Sequence, residues 1–316
     1  MNRSVVFFLL VLTIIIFNGC HKNDDNPVTP SSPSTWTRVS AGLPNTIFVS
    51  LFVKGSNLYA GSDSGAFLST NNGINWKSIS NGLPKGFIRS FIVKDANLFA
   101  GGDSGIYVST NNGMSWVSAN NGISPKCTYC MAISGNNIFA ADGGVCLSTN
   151  SGNSWNTLNT GFTLGTEIFS VATNGTNIFA GGLYGAFLST NNGSNWSTID
   201  SGLAGSYVNV YSFAFLGSNV FAGLYGMGVY LSTNNGNSWS PMNTGLSNLW
   251  LGQLIVSGYN LFVGSSNGVY LSTNNGSIWT NMALPESAGS VGDRALAVNG
   301  SYLFVGTISG VWRYPI

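Results

Sequence analysis

Ser69-Thr-Asn-Asn-Gly-Ile-Asn-Trp76 is the stretch on which the reading of this chain turns. Its pattern, Ser-Thr-Asn-x-Gly-x-x-Trp, returns at Ser109–Trp116, Ser148–Trp155, Ser189–Trp196, Ser232–Trp239 and Ser272–Trp279. Successive copies start 40, 39, 41, 43 and 40 residues apart. Ahead of each box stands an Asn, two apolar residues and a small one: Asn57-Leu-Tyr-Ala, Asn97-Leu-Phe-Ala, Asn137-Ile-Phe-Ala, Asn177-Ile-Phe-Ala, Asn219-Val-Phe-Ala and Asn260-Leu-Phe-Val. A Gly-led run follows, such as Gly65-Ala-Phe-Leu or Gly228-Val-Tyr-Leu. These runs are short, rich in aromatic and β-branched residues, and bounded by Gly, Asn and Ser, which is the pattern of strands joined by tight turns.

A period near 40 residues built from short strands is the mark of a β-propeller array. Each unit divides into four strands: a before the Asn (Ser90-Phe-Ile-Val in unit two), b at Asn-Leu-Phe-Ala, c at Gly-x-Phe-Leu-Ser, and d starting at the Trp. The box is then the c–d turn. Its Gly and neighbouring Asn tolerate the left-handed backbone that such a turn demands, and the Asn at the third place bonds nearby backbone groups. The Trp is free to pack between units. There are six boxes but seven copies of strands b and c, the seventh being Tyr302-Leu-Phe-Val and Gly310-Val-Trp-Arg. Trp36-Thr-Arg-Val supplies the missing strand d. The expected fold is therefore all-β, a seven-bladed β-propeller spanning 35–316 and closed by the N-terminal strand pairing into the last blade, which leaves no exposed edge.

The box resembles the Asp-box (BNR) repeat, Ser/Thr-x-Asp-x-Gly-x-Ser/Thr-Trp, over residues 36–316. The Asp of that pattern is Asn here at 71, 111, 150, 191, 234 and 274, so the acceptor oxygen is kept and the charge is lost. The resemblance implies a propeller and no single activity, because such propellers include sialidases, xyloglucan-degrading hydrolases, sortilin-type receptors and photosystem II assembly factors. The Gly-His and Trp-Asp marks of WD40 repeats are absent.

Charged residues make up 7 % of the chain and the net charge is +1, against roughly 25 % charged in ordinary globular proteins. No basic patch suggests nucleic acid as a partner. At the N-terminus, Val5 to Phe17 is a run of 13 mostly apolar residues behind a short basic start, the length of a signal-peptide core rather than of a membrane span. Asn18-Gly19-Cys20 resembles a bacterial lipobox. The expectation is a lipoprotein signal peptide at 1–19, membrane attachment through lipidated Cys20, and a Pro- and Ser-rich tether at 20–34. Polar residues after Cys20, with no Asp directly behind it, resemble the leaders of outer-membrane and surface lipoproteins.

Cys127 and Cys130 form Cys-x-x-Cys and Cys146 lies on strand c of the same unit; the sole His is His21. A redox pair or metal half-site is one reading, a local disulfide or buried small residues the plainer one, and a Cys/His zinc set is excluded. No metal and no cofactor are expected. The face opposite the boxes carries the d–a and b–c loops. Aligned across the units, one position there runs Val49, Arg89, Tyr129, Phe169, Tyr211, Gly252, Arg294, and another Ile47, Phe87, Cys127, Glu167, Asn209, Trp250, Gly292, with Asp293 beside it. These places vary between units while the rest of the repeat does not. Arg89, Tyr129, Tyr211, Trp250 and Arg294 are the candidate ligand-binding residues, offering donors and stacking planes to a glycan or protein; rim charge and packing between units are the bland alternative. A second set, Asp63, Asp103, Asp142, Tyr184 and Tyr225, falls on the b–c turns, where ordinary turn chemistry is the simpler account.

The leading functional expectation is a non-catalytic binding or scaffold propeller anchored in the cell envelope. The alternative is a glycoside hydrolase of sialidase or xyloglucanase type, for which Glu167 and Asp293 form the one carboxylate pair near the channel. Only four Arg (38, 89, 294 and 313) fall within 35–316, and Arg38 and Arg313 belong to outer strands, so a sialidase arginine triad is not available.

Overall fold

The computed structural model describes residues 35–316, apart from 125, 204, 206 and 207. The expected signal peptide, Cys20 and the expected tether lie outside the described residues. Thr35–Ile316 forms one compact unit, and among its described residues there is no α-helix, only a 3-10 turn at Glu286–Ala288. No described helix is long and apolar enough to cross a membrane.

Five four-stranded antiparallel sheets and one eight-stranded sheet account for all the strands. In unit one, strands a to d are Phe48–Lys54, Asn57–Ser62, Gly65–Ser69 and Lys77–Ser78. The same order recurs in each later unit. The eight-stranded sheet joins unit one to the last unit through one parallel pairing, Ser50 with Arg294. That last unit consists of Val291–Asn299, Tyr302–Thr307 and Gly310–Pro315. Its outer strand is Thr37–Arg38, which pairs antiparallel with Arg313 and Trp312. Two expected boundaries move. Strand d begins one residue after the box Trp rather than at it, because the Trp N–H bonds a loop carbonyl of the preceding unit, as Trp76 does to Ala41. Strand a starts earlier than expected, at Ile88 in unit two rather than Ser90.

The box turn is held by its own side chains. The first Ser accepts the Gly N–H at 2.8–3.0 Å and donates to the Asn Oδ1 at 2.8–3.0 Å. That oxygen also accepts the N–H of the residue before the Trp, at 2.9–3.0 Å. An acceptor oxygen suffices for this role, so Asn fills it without a charge. The fourth place is left-handed, with φ of 54–57° at Asn72, Asn112, Ser151, Asn192, Asn235 and Asn275. The Gly after it answers a second demand. A Cβ on Gly152 would sit 2.4 Å from Cε1 of Phe99 in the preceding unit, so this glycine sets both the turn and the approach of two sheets.

Each box Trp then joins neighbours. Its indole N–H donates to a backbone carbonyl three residues past the Trp of the unit before: Trp76 to Val39, Trp116 to Ile79, Trp155 to Ala119, Trp196 to Leu158, Trp239 to Ile199 and Trp279 to Met242, all at 2.6–2.8 Å. Trp36 makes the equivalent bond to Met282 at 2.7 Å, across 246 residues of sequence. A buried indole with its N–H unpaired would lose much of what burial provides; here each is satisfied. Apolar packing follows the same plan, since the clusters of buried side chains each draw on two successive units. The aromatic residue of strand b (Tyr59, Phe99, Phe139, Phe179, Phe221, Phe262, Phe304) is fully buried in every copy.

Candidate functional site

Strand a carries a β-bulge, and the bulge builds the site. In units one, two, four and five the ladder between strands a and b skips one residue: Val49, Arg89, Phe169 and Tyr211. A bulged residue leaves the ladder and its side chain is re-aimed. The Ser after it locks the arrangement: Ser50, Ser170 and Ser212 donate their hydroxyls to Ile88 O, Val210 O and Gly252 O of the next unit, at 2.7–3.2 Å. The four bulged side chains meet Tyr129, Asp293 and Arg294 around a cavity of about 130 Å³. Six of the seven residues aligned by sequence therefore line one space, and the seventh, Gly252, lines the groove beside it.

That groove, of about 460 Å³, is lined by Tyr211, Tyr225 and Trp250 together with Ser290, Val291 and Asp293. Gly252, Gly264 and Gly292 line it as well. Aromatic rings connect the cavity to the groove without a break. Tyr129 meets Phe169 edge-on at 5.3 Å, Phe169 meets Tyr211 at 5.3 Å, Tyr211 stacks on Tyr225 at 5.0 Å, and Tyr225 meets Trp250 edge-on at 4.5 Å. Trp250 is 53 % exposed, unlike the box Trp residues.

The two arginines are not equivalent. Arg89 Nε donates to Asp103 Oδ1 at 2.8 Å, and its guanidinium lies over Phe87 and Tyr129. Arg294 reaches from the last unit to unit four, where its Nη2 donates to Phe169 O at 2.5 Å. Asp103 pairs with Arg89, and Asp293 lines the same cavity as Arg294, so this is not a simple anion site. Burial raises the Tyr129 phenol to about 12, helped by Cys127 and Glu167, and its hydroxyl donates to Glu167 Oε1 at 3.5 Å. Burial, then the charge of Asp293, raises Tyr211. Both phenols are neutral donors near neutral pH.

Burial alone would raise the Asp103 carboxyl, but bonds from Phe87 N–H and Arg89 outweigh it and hold it below the ordinary value. A lowered folded pKa contributes stability above the unfolded value, near 3.9, that is lost as pH falls through the folded one. Asp103→Asn should flatten the acid limb of the stability profile below about pH 4, as read by thermal unfolding across pH; an unchanged limb would mean the Arg89 pair contributes nothing.

Asp293 lines the first cavity and the groove, whereas Glu167 lines a third cavity beside unit three and stands directly before strand a of unit four. Cys127, Cys130 and Cys146 are free thiols, with Cys127 Sγ near Asp103 Oδ1 at 3.5 Å and Cys130 Sγ near Val171 O at 3.4 Å. No group of three or more His, Cys, Asp or Glu is placed to hold a metal among the described residues. Sequence reasoning passed over the bulge. Its signal was the Ser that follows the variable position in four units (Ser50, Ser90, Ser170, Ser212).

The extracellular domain of a putative one component system from B. thetaiotaomicron superposes on this chain with a TM-score of 0.74, at 15% identity over 89% of the chain. The GH74 xyloglucanase from Xanthomonas campestris gives 0.68 at 16% identity over 89%. YCF48 from Cyanidioschyzon merolae gives 0.66 at 14% identity over 89%. The fold is a β-propeller. The chain spans 40% of the sensor domain and 53% of the xyloglucanase, but 98% of YCF48. No family model matches the sequence, and no curated protein matches it. Identities this low speak to the propeller and not to what it binds.

Proposed function

We propose that this chain is a seven-bladed propeller of the Asp-box type, closed through Trp36, tethered to the outer membrane by a lipid on Cys20, and that the face opposite its boxes binds a glycan without turning it over. The observation that carries the binding reading is the unbroken series of aromatic rings from Tyr129 to Trp250 beside a groove lined by three glycines. Sugar rings offer apolar C–H faces to aromatic planes and hydroxyls to neighbouring acceptors and donors. Tyr225 and Trp250 supply the planes; Asp293, Ser266 and Ser290 supply the polar partners. Arg89 and Arg294, already bonded on one side, keep further N–H groups for ligand oxygens.

Seven blades are supported by the cycle of indole bonds, in which Trp36 completes the series, and by the pairing of Thr37–Arg38 with the last unit. The lipid anchor and the outer-membrane address rest on the lipobox-like Asn18-Gly19-Cys20 and the polar tether. Similar structures include a xyloglucanase and YCF48 bound to a D1 peptide, so the fold leaves sugar and peptide open; the wide, weakly charged groove favours the sugar.

The test is a glycan array probed with the purified propeller, followed by assays for release of reducing ends from whatever binds. Retained signal without turnover is the expected result, with Arg89→Ala weakening it. Binding to peptides alone would overturn the glycan reading, and turnover abolished by Glu167→Gln or Asp293→Asn would restore the hydrolase. The anchor is checked separately: Cys20→Ser should move the protein from the membrane to the soluble fraction, and an unmoved protein is not held by that cysteine.

A further inference from the structure

Units one to three each carry an acid in the b–c turn, two residues before the Gly that leads strand c: Asp63, Asp103 and Asp142, although the turn of unit three is one residue shorter on its strand-b side. In unit one, Asp63 Oδ1 accepts the Thr46 hydroxyl and, at 3.0 Å, the Ser64 hydroxyl. In unit two, Asp103 accepts Phe87 N–H at 3.0 Å and Arg89 Nε at 2.8 Å. In unit three, Asp142 is only 8 % exposed, yet its buried Oδ1 has no hydrogen-bond partner. The repeat thus contains its own comparison. Two of the acids are satisfied by the loop that leads into strand a, and the third is not.

Two differences accompany this: the shorter turn, whose Gly143 bridges Ile168 of unit four, and a displaced loop. Strand a of unit two begins at Ile88, whose counterpart in unit three is Thr128, but there the strand begins only at Cys130. Thr128 N–H has turned to Gly102 O of unit two, and Tyr129 N–H to Ala141 O. The segment that supplies donors to Asp63 and Asp103 therefore leans toward the preceding unit. Between it and the turn lies a cavity of about 420 Å³, lined by Asp142 with Lys126, Glu167, Ser124, Thr157 and Asn159. That volume is in the range of small-molecule sites. A buried carboxylate oxygen without a donor is costly, and burial raises the Asp142 carboxyl while Lys126 partly offsets it.

We propose that this cavity is a second ligand site, separate from the aromatic groove, and that it takes a small ammonium compound bearing hydroxyls, the chemistry of an amino sugar. Asp142 lines the cavity, and an ammonium there would pair with its carboxylate. Two carboxylates against one lysine leave one negative charge unmatched, which a single ammonium balances. Ser124, Thr157 and Asn159 offer partners to hydroxyls. A metal ion is a poor occupant, since no described group of three acidic, His or Cys side chains is arranged to hold one. The site does not depend on the glycan reading of the groove, although the two regions meet where Glu167 accepts the Tyr129 hydroxyl.

Calorimetric titration of the propeller with glucosamine at slightly acidic pH, and with glucose and N-acetylglucosamine as uncharged matches, tests this. Glucosamine should bind at least about tenfold more tightly than either match, and Asp142→Asn should remove that preference while Trp250→Ala leaves it intact. Without ligand, Asp142→Asn should melt at the same temperature as the parent or higher, because the carboxylate oxygen has no bond to lose. Equal affinity for the three sugars, no binding of glucosamine at millimolar concentration, or a lower melting temperature for Asp142→Asn would each overturn the proposal.

Discussion

A chain beginning at Ala41 should lose more stability than any single box Trp→Ala substitution, and Trp36→Ala should cost as much as Trp155→Ala. Trp36 is 8 % exposed and Trp155 2 %, and both donate an indole bond to a neighbouring unit. Replacing such a side chain by Ala removes its burial and leaves a cavity, roughly 3–5 kcal/mol, or a fall in melting temperature of about 6–10 °C for a domain this size. The truncation goes further. It removes the pairing of Thr37–Arg38 with Arg313 and Trp312, the Val39 N–H bond to Val311 O, and both bonds between Ser40 Oγ and Val311. Trp76 Nε1 loses its acceptor at Val39 and Met282 O loses its donor. Strand Gly310–Pro315 becomes an exposed edge, which invites pairing between molecules. The truncated protein should therefore melt lower and associate at high concentration. If Trp36→Ala melts within about 1 °C of the parent, worth well under 1 kcal/mol, the leading segment is not an equal part of the fold.

Local rules made the scaffold readable. The box has its donors and acceptors within eight consecutive residues, Ser69 to Trp76, so residue type alone implied the turn that Ser69, Asn71 and Gly73 form. Strand b was readable because the same aromatic recurs where two sheets face each other. The site was half readable. Variation between units marked Val49, Arg89, Tyr129, Phe169, Tyr211 and Arg294, and these share one cavity. What escaped was how they get there, because a bulge is a property of two strands and the sequence presents one at a time. Partnerships formed across the molecule escaped for the same reason. Nothing near Arg294 in sequence points to Phe169 O, 125 residues away. Glu167 and Asp293 were paired for their aligned places near the channel, and the structure has them line different cavities. The three turn acids looked alike as letters, and they differ in the loop that does or does not answer them.

Trp250→Ala should weaken ligand binding at the groove by roughly thirtyfold, about 2 kcal/mol, while barely changing stability. The two effects separate because of where the ring stands. Its edge-on contact with Tyr225, at 4.5 Å, is its one close ring partner on the described face, and such a pair contributes about 0.5–1.5 kcal/mol. Half of the side chain already faces water, so truncation opens no sealed void. A bound sugar would cover that exposed half and desolvate it, and the covered plane is what the ligand would lose. Trp250→Phe should keep much of the affinity, since a smaller plane remains. Tyr225→Ala should reduce affinity as well, because it removes the ring that orients Trp250 and stacks on Tyr211. A packing role predicts the reverse ordering, with Trp250→Ala lowering the melting temperature by many degrees and binding following only as folded protein is lost. Isothermal titration and thermal unfolding on the same three variants distinguish the two. If affinity per folded molecule is unchanged in Trp250→Ala, the aromatic wall is not where the ligand sits.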